Sequence, residues 1–322
     1  MMTLNYLCKK ISRKLDFSGE IFSIFLALII MCVFFSFTSP YFFTIKNILN
    51  FTMNSSILGI MAAGLFISMV IGEIDVSQYS ILALSTAVMA ILIKNGTGIG
   101  LAITISMIVA LICGAINGAS VAFLRINPII TTLGTMLIYR AIAYKITEAK
   151  ALGVEGDFFS AVGGRFLGIP VSVYIMLSVY IIVYVALKYT AYGKRVYAVG
   201  GNPQASFISG IDIRMVRFWG MMISAMAAAL AGIIFVSQVG ATVPTAGNTG
   251  LMDVVTAVIL GGISLSGGKG KIEGTLIGVF ILAILSNGMV LLSVQSYYQM
   301  LVKGLVILLA VYVDSVRGGG FK

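Results

Sequence analysis

The stretch VGGNPQASFISGI (residues 199–211) reads as a helix of about two turns, set in a chain that is otherwise strongly apolar. Asn202 is placed to accept from the free N–H groups of a first turn. Pro203 follows at the first helical position, where a missing N–H costs nothing. Gly210 stands where a left-handed residue closes a helix. Gln204, Ala205, Ser206, Phe207, Ile208 and Ser209 lie between. A rod of ~10 Å is marginal alone in water, and a bilayer core takes ~20 apolar residues. This helix cannot span a membrane. It needs a surface to rest on, either lipid and its own loop or a groove in a partner.

The surrounding composition sets the solvent. Of 322 residues, 59% are hydrophobic and 10% charged, and the mean hydropathy is +1.07. A soluble domain carries roughly 25% charge, so the expected class is an all-α integral membrane protein. About ten spans are expected, near 21–38, 51–71, 78–94, 99–123, 128–148, 170–189, 218–237, 251–266, 272–292 and 297–316. The third and eighth are short or rich in glycine. The chain contains no histidine, and Cys8, Cys32 and Cys113 are far apart. Neither a metal site nor a disulfide framework is expected.

Charge gives the orientation. Lys9, Lys10, Arg13 and Lys14 precede the first span, which puts the N-terminus in the cytoplasm. Ten spans return the C-terminus to the same side. Fourteen of the 21 basic residues then fall inside, among them Arg125, Lys188, Lys194, Arg195, Arg214, Arg217, Lys269 and Lys271. Five fall near the outer face: Lys46, Lys94, Lys145, Lys150 and Arg165. This asymmetry explains the net charge of +10 without nucleic acid. No small-residue cleavage site follows the first span, so it reads as an anchor. The longest loops are 190–217, inside, and 149–169, outside.

Motifs for chemistry are absent. In "GGISLSGGKGK" (261–271), Gly270 stands where a phosphate-binding loop needs Ser or Thr. The stretch reads as a glycine-rich turn, and no enzyme activity or cofactor of its own is expected. An ion-coupled transporter needs titratable groups inside the membrane. Glu73, Asp75, Arg140, Asp253, Glu273 and Lys303 are available, mostly at span ends where solvation or snorkelling is the default. "GEIDVS" (72–77) interrupts a hydrophobic pair, as a broken helix or a cytoplasmic turn would. Its pattern returns in "GGISLS" (261–266).

"YGKRVYAVGGNPQASFISGIDI" (192–213) resembles the cytoplasmic coupling segment of bacterial sugar-type ABC importer permeases, the ribose, arabinose, xylose and autoinducer-2 group. Further stretches agree in family order: "GEIDVSQYS" (72–80), "INPIITTLGTMLIYR" (126–140), "FLGIPVSV" (166–173), "VPTAG" (243–247), "LGGISLSGGKGKIEGTLIGVFILAILSNGM" (260–289) and "YYQMLVKGLVILLAVYVD" (297–314). The resemblance implies a single permease domain over 1–322, of the type II importer kind, in a bacterial cytoplasmic membrane. It would have a cytoplasmic segment over 1–20 and a coupling loop over 190–217. It implies a second permease subunit, two ATPase subunits that bind the ATP, and an extracytoplasmic solute-binding protein. Lys150 and Arg165 on the outer face are either contacts for that protein or, by default, ordinary solvated charges. Gly201, Asn202, Pro203, Gln204, Ala205, Ser206, Phe207, Ser209 and Gly210 would form the coupling helix. The chain departs from the family where Pro203 and Gln204 replace acidic residues and Phe207 replaces an arginine. It departs again where Glu73 replaces a glycine and Gln78-Tyr79 replace a small pair.

An uncharged sugar would call for hydroxyl and amide groups along the pathway. The candidates are Asn54, Asp75, Ser77, Asn117, Thr131, Thr132 and Asn287, with Gln299 also available. Each could equally serve as a helix–helix hydrogen bond.

Overall fold

The computed structural model describes residues 19–247 and 250–317. The basic N-terminal cluster, Cys8 and the last five residues lie outside them. Ten helices occupy the expected span positions: α1 (Gly19–Thr38), α2 (Ile45–Ile71), α3 (Gln78–Lys94), α4 (Ile99–Ala122), α5 (Pro128–Thr147), α7 (Val171–Tyr189), α10 (Ile213–Val239), α11 (Leu251–Leu260), α12 (Ile272–Leu291) and α13 (Ser296–Arg317). Between them lie α6 (Asp157–Gly163), α8 (Ala191–Gly201) and α9 (Pro203–Ile208). Seven of the helices are long and apolar enough to cross a membrane. The chain is a multi-span membrane protein.

Caps account for the two largest shifts in helix starts. α2 starts six residues before the expectation because the Thr44 side chain accepts from the Asn47 amide. α10 starts at Ile213 and not at 218, because Asp212 accepts from the amides of Arg214 and Met215. The eighth expected span, 251–266, is corrected: α11 has only ten residues, and 261–271 is a turn-rich segment. The connection over 190–217 carries a second helix beside the expected short one. Most of it is helical, with α8 capped by Thr190 through the Gly193 amide.

α2 and α10 form the centre of the bundle, and the core around them is continuous. Small residues let the helices approach closely. A Cβ on Gly114 would lie 2.7 Å from that of Ala225, and one on Gly118 would lie 2.9 Å from the Phe218 carbonyl oxygen. α1 stands at the edge with most of its face exposed.

Two crossings are interrupted. After α2 the chain turns at Gly72 (φ +94°) and climbs back beside it. Six residues later, Gln78 Nε2 donates to the Met61 carbonyl at 3.1 Å. Met61 lies ten residues before the end of α2, a rise of about 15 Å, so α3 begins well inside the bundle. The second interruption runs the opposite way. β4 (Ala241–Thr242) pairs with β1 (Leu152–Gly153) at the far end of the molecule. The chain then descends past α3, where Thr242 Oγ1 lies 2.8 Å from Thr86 Oγ1, and Gly250 meets Tyr79. α11 starts there. α3 and α11 are therefore partial helices whose N-termini approach each other around Tyr79. Irregular backbone at membrane depth is tolerated only where protein or a cavity surrounds it.

Candidate functional site

Asp75 is fully buried in the climbing segment 72–77. Its Oδ1 accepts from the Ser77 amide at 2.9 Å and the Ser77 hydroxyl at 2.6 Å. Its Oδ2 accepts from the Ser224 hydroxyl of α10 at 2.7 Å. Asn117 of α4 donates to Ser77 Oγ at 2.8 Å, and Tyr139 of α5 donates to Asn117 at 3.3 Å. Thr132 Oγ1 contacts the Ile74 carbonyl at 3.3 Å. Four of the expected pathway residues, Asp75, Ser77, Asn117 and Thr132, thus meet in one network. That network joins α4, α5 and α10 to an extended segment, and it satisfies a carboxylate with neutral donors.

The other expected pathway residues lie elsewhere. Asn54 and Asn287 line a cavity of about 460 Å³ between α2, α12 and the descending segment. Asn287 also exchanges two amide hydrogen bonds with Asn47, at 2.9 and 2.8 Å. Thr131 is buried, with no hydrogen-bond partner for its hydroxyl.

The residues that depart from the family pattern hold the interruption in place. Gln78 Nε2 bridges to Ser224 Oγ at 2.9 Å as well as to Met61. Tyr79 packs against Gly247 and Gly250, and a Cβ on Gly250 would lie 2.6 Å from its hydroxyl oxygen. Glu73, 2% exposed, pairs with Arg217 at 2.9 Å. Arg140 and the pair Asp253–Lys303 do not snorkel. Arg140 donates to the carbonyls of Pro244 (2.6 Å) and Ala246 (2.8 Å) and so pins the descending segment. Lys303 of α13 meets Asp253 of α11 at 2.7 Å. Apart from Gln78 and Met61, which are 17 residues apart, the sequence places these partners 50 or more residues apart, so no local signal joins them.

The repeated patterns "GEIDVS" and "GGISLS" belong to neighbouring segments at one end of the molecule, where the Gly268 amide donates to the Val70 carbonyl at 2.7 Å. Their backbones differ. Gly72 is left-handed in the first, whereas Gly262, one position further along the pattern, is left-handed in the second.

The short helix forms at the same end. Asn202 Oδ1 accepts from the Ala205 amide at 2.9 Å, and Gly210 is left-handed at φ +79°. Ser206 is buried, while Phe207 is 72% and Ile208 86% exposed. Ile208 is a further exposed apolar residue of α9, outside the set expected to form the coupling helix. α9 rests on α8, and α8 is fastened beneath it. A Cβ on Gly200 would run into the Val70 carbonyl and the Gly268 amide. Tyr197 donates to the Gly270 carbonyl at 2.9 Å. Burial, with nearby Glu273 adding to it, pushes the Tyr197 phenol up to about 12, so it remains a donor at neutral pH. A cavity of about 760 Å³ opens beside α9, lined by Glu73, Arg125, Phe207, Arg214 and Arg217. At the opposite end, Lys150 pairs with Glu148 at 3.1 Å, and Arg165 lies on β2 (Arg165–Phe166), which pairs with β3 (Ile169–Pro170).

A family model described as the permease component of branched-chain amino acid transport systems matches residues 47–311, a range that takes in both interrupted crossings and the short helix. The chain belongs to this permease family. The permease is 38% identical to a ribose import permease of Haemophilus influenzae, over 91% of its own length and 93% of the relative's. It is 40% identical to a ribose import permease of Bacillus subtilis, over 94% and 95% of the two chains. It is 36% identical to the D-allose transport system permease of Escherichia coli, again over 94% and 95%. No solved structure matches the permease.

Proposed function

We propose that this permease is the transmembrane subunit of an ATP-binding-cassette importer for a sugar or sugar-like solute in a bacterial cytoplasmic membrane. Its termini lie in the cytoplasm, a second permease subunit completes the pathway, two ATPase subunits dock beneath, and an extracytoplasmic binding protein delivers the solute. The names of the ribose and allose permeases support the solute class. The end that carries Arg125, Lys194, Arg195, Arg214 and Arg217 is the cytoplasmic one by the positive-inside rule.

The observation that carries this reading is α9, a capped helix with Phe207 and Ile208 exposed and its platform locked to both interrupted crossings. Displacing α9 moves Gly200, and Gly200 has no room to move without the end of α2 and the 261–271 turn. Those two segments adjoin Gly72 and Leu260, the inner ends of the interrupted crossings. Force applied by an ATPase at Asn202–Gly210 therefore reaches the pathway through backbone contacts. Deletion of 202–210 is expected to abolish ATPase association and transport while the protein still inserts. Normal capture of the ATPase by the deletion variant refutes the coupling assignment. Uptake on an ion gradient with no ATPase present refutes the importer.

A further inference from the structure

The cavity of about 760 Å³ beside α9 lies where the end of α4, the start of α5 and the start of α10 meet. Its charged wall is Arg125, Arg214 and Arg217 against Glu73 and Asp212, three positive charges against two negative. Glu73 is taken up by Arg217 at 2.9 Å. Asp212 turns Oδ1 to the amides of Arg214 and Met215. Arg125 and Arg214 are exposed, and their guanidinium groups have no hydrogen-bond or ion-pair partner among the described residues. The excess charge therefore resides on two uncommitted arginines at the mouth of a partly apolar space. We propose that this cavity binds the phosphate of an anionic phospholipid in the cytoplasmic leaflet. The site goes beyond the importer reading and holds whatever solute the permease carries.

The neighbours of the arginines set the cavity at headgroup level. Phe123, Phe218 and Trp219 form a chain of rings with centroids 5.8 and 5.7 Å apart. Phe123 is 47% and Trp219 46% exposed, and Trp219 is the only tryptophan of the chain. Half-exposed rings flanked by arginine mark the membrane–water interface. Past Arg125, the side chains of Ile126, Ile129 and Ile130 are exposed at the start of α5, which gives acyl chains an apolar strip beside the cavity. Basic pockets between spanning helices on the cytoplasmic side hold lipid headgroups in this way. An ATPase carboxylate is the rival partner for the same arginines, but it has no use for the rings or the apolar strip. Phe207 of α9 and Gly210 after it line the same cavity, so a bound headgroup sits against the coupling segment.

The test uses the full permease purified in a mild detergent. Equal amounts of phosphatidylglycerol and phosphatidylcholine are added, and native mass spectrometry counts the lipid retained. Phosphatidylglycerol is expected to be held about thirtyfold more tightly, the factor that two basic residues give against an anionic headgroup. The double change Arg125→Gln/Arg214→Gln should erase the preference, whereas Arg125→Lys/Arg214→Lys should keep most of it. Lys46→Gln/Lys94→Gln removes the same charge at the opposite end and should leave the preference intact. Unfolding midpoints confirm that each variant is folded before its lipid is counted. Equal retention of the two lipids overturns the site, as does full preference in the Arg→Gln double variant. Displacement of phosphatidylglycerol by inorganic phosphate means a small-anion site and overturns the lipid. Weakened ATPase capture by the same variant with its lipid preference intact assigns the arginines to a protein carboxylate instead. Uptake is not measured here, so failure of the lipid site leaves the importer reading standing.

Discussion

Asp75 and Ser224 are joined by a 2.7 Å hydrogen bond between an extended segment and the middle of α10. The bond fixes how far the chain climbs before α3 begins. With the Ser77 amide and hydroxyl it makes Asp75 the anchor of the first interruption. Asp75→Ala leaves three buried donors without an acceptor, a loss of about 3 kcal/mol. Asp75→Asn keeps one acceptor oxygen and should cost about half as much. Unfolding midpoints of the purified permease in detergent rank the three proteins. Equal midpoints for native and Asp75→Ala exclude the anchoring role.

Gly200 and Gly201 are adjacent, and the structure treats them differently. A Cβ at 200 meets the Val70 and Gly268 backbones, whereas one at 201 meets nothing within 4 Å. Gly200→Ala is expected to push α8 off its platform and to reduce ATP-coupled transport about tenfold or more, since backbone neighbours cannot yield as a side chain can. Gly201→Ala should retain most transport. Uptake assays on the two variants decide the matter, and the reverse order would remove the basis for rigid transmission through α8.

Phe207 and Ile208 are the exposed apolar residues of α9. If they seat in an ATPase groove, Phe207→Ala should weaken association by about 2 kcal/mol, the range for burying one aromatic or aliphatic side chain. The unfolding midpoint of the isolated permease should not change, because the ring touches little of its own chain. Association should depend only weakly on salt, since α9 itself carries no charged side chain and screening acts on charges. Titration of the ATPase at two salt concentrations measures both effects.

Local signals carried much of this structure. Asn202, Pro203 and Gly210 mark α9 from sequence alone, and apolar runs mark every spanning position. α8 escaped notice because its buried positions, Gly193, Val196 and Val199, are only three, separated by Lys194-Arg195 and Tyr197-Ala198 and followed by two glycines, in a stretch without spanning length. The first interruption was legible in GEIDVS, as a broken helix or a turn, and the second only as a weak, glycine-rich span. Their depth depends on Gln78 reaching Met61 and Ser224 and on Arg140 reaching Pro244, contacts that neither apolar periodicity nor capping signals announce. Glu73, Gln78 and Tyr79 stood out as departures from the family pattern, and the structure gives each a partner. The network of Asp75, Ser77, Asn117 and Thr132 mixes residues expected to line a pathway with a structural task that composition does not distinguish.

Asp253 and Lys303 provide the last test. Both side chains are 24% exposed and 2.7 Å apart, and Asp253 lies in the first turn of α11. The positive end of that helix favours a carboxylate, so the two partners are not equivalent. Lys303→Met leaves Asp253 with the helix terminus as partial compensation. Asp253→Asn leaves Lys303 facing the same positive end with no counter-charge. The second change should therefore destabilise more, by about 2 kcal/mol or above, as for breaking a pair on one side. The double variant should be more stable than the sum of the two losses implies, because no uncompensated charge remains. Midpoints from the four members of this cycle give the coupling directly. Strict additivity would mean that the pair contributes nothing to holding α11 against α13.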